Sequence, residues 1–123
     1  IGSLHESKAT IAAGSDCPVI EPNPLIGIYA AVSRLANSGD VVLPSEAISP
    51  HSALKMYTLG SATVNFQENE KGSITVGKIA DLALLDDNPI LSKPEHIPNI
   101  KVMMTIVRGE VAWRHESFIQ FVD

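Results

Sequence analysis

Apolar and polar positions divide the chain into two regimes that meet near residue 67. Before that point the apolar residues recur at helical spacing. Leu25, Ile28, Tyr29, Val32, Leu35 and Ala36 form one stripe, which predicts a helix. Asn23 suits its N-cap, Pro24 its first position, and Gly39 lies just past its end. A polar break from Asn37 to Ser45 leads to a second helix. Ser49 caps it, Pro50 sits in its first turn, and Ala53, Leu54, Tyr57 and Thr58 make its inner face. Ala62 extends that face, while Gly60 weakens its middle or marks an early end. Ahead of both helices, the apolar run Thr10-Ile11-Ala12-Ala13 reads as a short strand. The stretch from Cys17 to Pro24 holds three prolines, which forbid a helix and favour a stiff extended loop.

Past residue 67 strand signals dominate. Gln67 to Gly72 is a polar surface loop. Ser73 to Gly77 predicts a strand ending in a turn glycine, and Leu82 to Leu85 a second one between Asp81 and Asp86. Lys101 to Val107 is rich in β-branched residues and apolar on both faces, the pattern of a sandwich core. Arg108-Gly109-Glu110 predicts a tight reversal into Val111-Ala112-Trp113, with Gly109 supplying the positive φ that a two-residue hairpin needs. There is no internal repeat and no low-complexity segment.

Length and charge narrow the classes. A chain of 123 residues can bury a core of its own, but it is too short for a (β/α)8 barrel, which takes about 250. The net charge of −5 without a balancing basic patch argues against nucleic acid as a partner. No apolar run approaches membrane-spanning length, so no membrane partner is expected. Cys17 is the only cysteine, which excludes an intrachain disulfide and a cysteine zinc cluster. A lone cysteine is compatible with a reducing cytosol, so the expected location is the cytoplasm, and Ile1 to Glu6 do not read as a signal peptide. Ile1 is not a starting methionine, which suits a chain that begins inside a larger protein.

Gly14-Ser15-Asp16 is the first place to look for chemistry. A carboxylate just past the carboxyl end of a buried strand is where a barrel enzyme keeps a metal ligand or proton acceptor. The bland alternative is a turn former or helix cap, the usual role of Asp after Gly-Ser. His51, in the first turn of the second helix, reads as solvated, since no second histidine lies four residues on. Asp86-Asp87 before Asn88-Pro89 reads as a turn in which a carboxylate caps backbone amides, rather than a cation pair. Cys17 reads as a cleft-lining or buried thiol, and Trp113 as sandwich core or rim packing.

Longer segments carry a family resemblance. Lys71 to Asp86, reading KGSITVGKIADLALLD, resembles the segment by which metal-dependent amidohydrolases leave the barrel and enter a small β-sandwich. Val102 to Val111 resembles the hairpin that closes that sandwich. Gly14 to Val19, Asn23 to Val32 and Ala53 to Thr58 resemble the amidohydrolase-3 group, which includes N-substituted formamide deformylase-like proteins. The resemblance covers nearly the whole chain and corresponds to the family's last third or quarter. It implies an α/β fragment: residues 1–66 as the last strand and helices of a (β/α)8 amidohydrolase barrel, and residues 67–123 as part of a small β-sandwich.

The resemblance further implies a divalent metal, usually zinc, at the carboxyl mouth of the barrel of the complete protein. By the same resemblance the metal would activate a water toward the carbonyl, and the last-strand aspartate would carry the water's proton to the leaving nitrogen. Asp16 is the one position that maps onto this machinery, as catalytic carboxylate and metal ligand. His5, His51, His96 and His115 are not spaced as the family's histidine pairs. A catalytic zinc needs about three protein ligands, so the chain alone is expected to hold no cofactor and to be inactive. Two classes of function remain. One is the carboxyl-terminal portion of a hydrolase acting on a C–N bond of a small-molecule substrate. The other is a non-catalytic regulatory or partner-binding domain derived from one, because some relatives in the family carry regulatory labels. An isolated chain with an unpaired strand and an uncovered helix stripe is expected to self-associate through its amino-terminal region or to rearrange it.

Overall fold

The structure, a computed structural model, describes residues 1–121. A short helix, α1 (Gly2–Glu6), is tied to a 3₁₀ turn at Pro44–Glu46 because the Glu46 carboxylate accepts from the Ile1 amine and the Ser3 hydroxyl. Helix α2 (Pro24–Ser33) starts as its sequence requires: the Asn23 side chain accepts from the Leu25 amide at 3.0 Å, with Pro24 at the first position. It ends earlier than the apolar stripe suggests. Arg34 turns left-handed at φ 57, and Leu35 leaves the helix for an isolated bridge with Val41. Gly39, at φ +91, serves the turn between them instead of the helix end.

Ser49 caps the second helix by accepting from the Ser52 amide at 3.1 Å. Gly60 does not stop it. The chain runs helically through α3 (Pro50–Lys55), a π-turn at Met56–Gly60 and α4 (Ser61–Val64). A π-turn spaces backbone bonds at i+5 and widens the helix locally.

The core forms where α2 meets α3 and a 3₁₀ helix at Pro94–Asn99. Leu25, Ile28, Ala31, Ala53, Ile97 and Ile100 are buried together, with Tyr29, Tyr57, Leu54 and Leu85 packed around them. Ile28 and Ile97 are almost fully enclosed, at 1% and 0% exposure. Burying each such side chain is worth about 1.5–3 kcal/mol.

Strands β1 (Leu82–Leu85), β2 (Val102–Val107) and β3 (Glu110–Arg114) form one antiparallel sheet in that order. The hairpin between β2 and β3 is as expected: Val107 pairs with Glu110 across Arg108 and Gly109, at φ 53 and 84. The Asp81 carboxylate accepts from the Arg108 amide at 2.9 Å and pins this turn beside β1.

Two expected strands are absent. Thr10 to Ala13 and Ser73 to Gly77 have no strand partner, and a strand exists only as half of a ladder. Thr10 to Ala13 lies against the helical segment instead, with the Ala13 amide donating to the Met56 carbonyl at 3.2 Å. Ser73 to Gly77 belongs to a series of turns. The Lys78 ammonium clips these turns to the Glu68 carbonyl and to the Ser73 hydroxyl at 2.7 Å, and Gly77 is the turn glycine at φ +94. Ile74 and Val76 are fully exposed there. Nor is β2 buried on both faces: its residues are half-buried at most. Among the described residues a single sheet is present, and no second layer closes over it.

Candidate functional site

Asp16 is placed by a segment that docks on the π-turn. Ile11 passes so close to Gly60 that a Cβ there would lie 2.1 Å from the Ile11 carbonyl oxygen. Only glycine leaves room for that approach. Beside it, the Ser61 hydroxyl donates to the Met56 carbonyl at 2.8 Å and lies 3.5 Å from the Ala13 carbonyl. The same Met56 carbonyl accepts from the Ala13 amide. Three residues beyond Ala13, Asp16 adopts φ 51 and its carbonyl accepts from the Val19 amide at 2.8 Å, closing a tight turn. Asp and Asn tolerate this left-handed geometry better than other residues with a side chain. The Asp16 side chain is exposed.

The other candidates separate cleanly. Asp86 and Asp87 are caps: Asp86 accepts from the Lys101 amide at 2.8 Å, and Asp87 from the Asn88 amide at 2.7 Å and the Ser92 hydroxyl at 2.6 Å. Those bonds, the Ser92 hydroxyl first, hold the Asp87 carboxyl below its ordinary value. Cys17 is exposed, so it is not the buried thiol of one expectation, and it lines neither of the two cavities that flank the helical segment. His51 is exposed as expected. Trp113 is 47% exposed and meets the His115 ring edge-on at a centroid distance of 6.0 Å, which is rim packing.

Among the described residues no three His, Cys, Asp or Glu side chains gather where they could hold an ion. Asp16 by itself does not fit a metal centre, which needs about three protein ligands.

Two cavities flank the helical segment. One of about 380 Å³ lies between residues 8–11 and the turns from Ser52 to Thr63. A larger one of about 580 Å³ lies between the helix face of Leu54, Tyr57 and Ala62 and the strand β1. Asp16 lines neither. Sequence reading missed Met56, Gly60 and Ser61 as the dock of the Asp16 segment. The one available signal was a glycine inside an otherwise helical pattern, which signals either a weak helix or a close backbone neighbour.

Residues 1–112 match the family described as the amidohydrolase family. The chain belongs to that family. It is 30% identical over 109 residues to N-substituted formamide deformylase of Arthrobacter pascens, an alignment covering 89% of this chain and 20% of that protein. It is 40% identical over 87 residues to Protein LONG AFTER FAR-RED 3 of Arabidopsis thaliana, covering 70% of this chain and 15% of that one. Among solved structures, an amidohydrolase from Thermotoga maritima superposes with a TM-score of 0.64 at 23% identity, over 92% of this chain and 25% of that one. That likeness is one of fold. The chain spans about a fifth of the length of the curated relatives it matches.

Proposed function

We propose that this chain is the carboxyl-terminal portion of a metal-dependent amidohydrolase that hydrolyses a C–N bond of amide type in a small molecule. Residues 1–66 are then the end of its (β/α)8 barrel and residues 67–123 a segment of its small β-sandwich. The observation that carries the reading is the family match over residues 1–112, which runs through Asp16 and the segment that docks it. The names of two relatives point the same way, one a formamide deformylase and one a 5-methylthioadenosine/S-adenosylhomocysteine deaminase from Teredinibacter turnerae, 29% identical over 104 residues. Both names describe breaking a carbon–nitrogen bond.

Asp16 is the residue with the chemistry. Its carboxylate takes a proton from the attacking water and delivers it to the departing nitrogen, which would otherwise leave as a poor anionic group. Its turn, closed by the bond from the Val19 amide to the Asp16 carbonyl, follows the segment docked through Ala13, and its exposure leaves it reachable. The family's chemistry is metal-dependent, and in the complete protein Asp16 would be one ligand of a divalent ion, zinc by resemblance. No three candidate donors gather among the described residues, and the chain alone is expected to release no product. A cytoplasmic location fits this reading, and no described helix is long and apolar enough to cross a membrane.

Amine release from N-substituted formamides and related amides tests the proposal. The complete protein should release amine, and the chain of 123 residues should release none above the uncatalysed rate. A complete protein inert across such a panel would favour the non-catalytic, partner-binding reading.

A further inference from the structure

The π-turn has a consequence for Asp16. A serine in a regular α-helix returns its hydroxyl to the carbonyl three or four residues back. Ser61 reaches Met56, five residues back, at 2.8 Å, a reach that the widened turn makes possible. The Met56 carbonyl also takes the Ala13 amide at 3.2 Å, and the Ser61 oxygen lies 3.5 Å from the Ala13 carbonyl. One hydroxyl therefore sits at the junction of the wide turn and both backbone groups of Ala13. Gly60, next to it, leaves the space that Ile11 occupies. Two residues, Gly14 and Ser15, separate this junction from Asp16, and so short a tether spans at most about 10 Å. A Cβ added at Gly14 would meet nothing within 4 Å, so the tether is open on that side.

We propose that Ser61 is a positioning residue for Asp16: its hydroxyl locks the π-turn in the form that docks Ala13, and so fixes where the Asp16 carboxylate stands. The inference rests on the proposed role of Asp16 and adds to it a residue that touches no reacting atom. An error of about 1 Å in placing a reacting group can cost on the order of a hundredfold in rate. Loosening one of several anchors should cost less, roughly tenfold.

Two measurements test this. The first needs no substrate. Amide hydrogen exchange on the complete protein should show the Ala13 amide exchanging roughly tenfold faster in Ser61→Ala, while the Ala53 amide, which bonds to the Ser49 carbonyl at 2.9 Å, stays within about twofold. An unchanged Ala13 amide overturns the inference, and so does an equal rise at both, which would mean general loosening. The second is a double-mutant cycle on turnover by the complete protein. Ser61→Ala should lower kcat roughly tenfold with little change in KM, and should lower it no further in an Asp16→Asn background. A loss that persists undiminished in that background contradicts positioning through Asp16. Failure of the underlying reading looks different: Asp16→Asn alone would keep near-normal turnover, whatever Ser61→Ala does to the Ala13 amide.

Discussion

At the scale of single residues, backbone conformation decides which substitutions are informative. Asp16 stands at φ 51, so Asp16→Ala removes the carboxylate and also strains the turn, by about 1 kcal/mol. Asp16→Asn removes the charge alone. Denaturant unfolding should therefore find Asp16→Ala less stable than Asp16→Asn by about that amount. Equal stabilities would mean that the turn tolerates any side chain. Gly60→Ala is the harsher change, because the new methyl would lie 2.1 Å from the Ile11 carbonyl oxygen, so the segment that also carries the Ala13-to-Met56 bond has to shift. A loss of roughly 1–3 kcal/mol is expected for such overpacking, read by the same unfolding measurement. Asp87 supplies the pH dependence. Its carboxyl is held below the ordinary value of 3.8, so the turn from Asp87 to Ser92 is fully supported above that value. The support is lost as pH falls through the lower, folded-state value. Acid titration followed by NMR should show the Asn88 amide losing protection in that range, and Asp87→Asn should abolish the response.

Between residues and elements, what the chain discloses in advance depends on how local the cause is. The start of α2 was legible because a cap and a proline act within one turn. The β2–β3 hairpin was legible because Gly109 acts within two residues. The early end of α2 was not, since nothing local in Arg34 requires a left-handed turn. Thr10 to Ala13 and Ser73 to Gly77 have strand composition, yet composition cannot supply a partner. The dock of the Asp16 segment was hidden for a related reason. Asp16 itself stood out through Gly14-Ser15-Asp16 and the family resemblance, whereas Gly60 and Ser61 acquire their role only when Ile11, far away in sequence, lies against them. The 3₁₀ helix at Pro94–Asn99 received no expectation, although Ile97 and Ile100 sit three apart after a proline. Ile97 is wholly enclosed against α2, so Ile97→Ala should cost roughly 2–5 kcal/mol in thermal or denaturant unfolding, and a cost below about 1 would place the core elsewhere.

The whole molecule leaves much apolar surface uncovered. Leu84, Val111 and Trp113 on the sheet are 45%, 42% and 47% exposed, and Ile74 and Val76 stand free. Thr10 to Ala13 offers backbone groups that no strand satisfies. Such a surface is rarely left open on a soluble monomer. The isolated chain is therefore expected to self-associate or to rearrange its amino-terminal segment, and light scattering with amide exchange will detect either. A strict monomer with Ala13 as well protected as Val102 to Val107 would mean that the chain closes its own core. The same chain, with no three candidate ligands gathered among its described residues, should show no zinc site of micromolar affinity or better by calorimetric titration, and one tight stoichiometric site would contradict that.

The central claim is that this amidohydrolase chain brings the proton-carrying carboxylate, Asp16, to a C–N bond hydrolase. The most direct test compares kcat/KM for amide cleavage by the complete protein and by its Asp16→Asn variant, matched for folded protein by circular dichroism. The account predicts a loss of about a hundredfold or more at unchanged fold. Turnover within a few fold of the unmodified protein would contradict it.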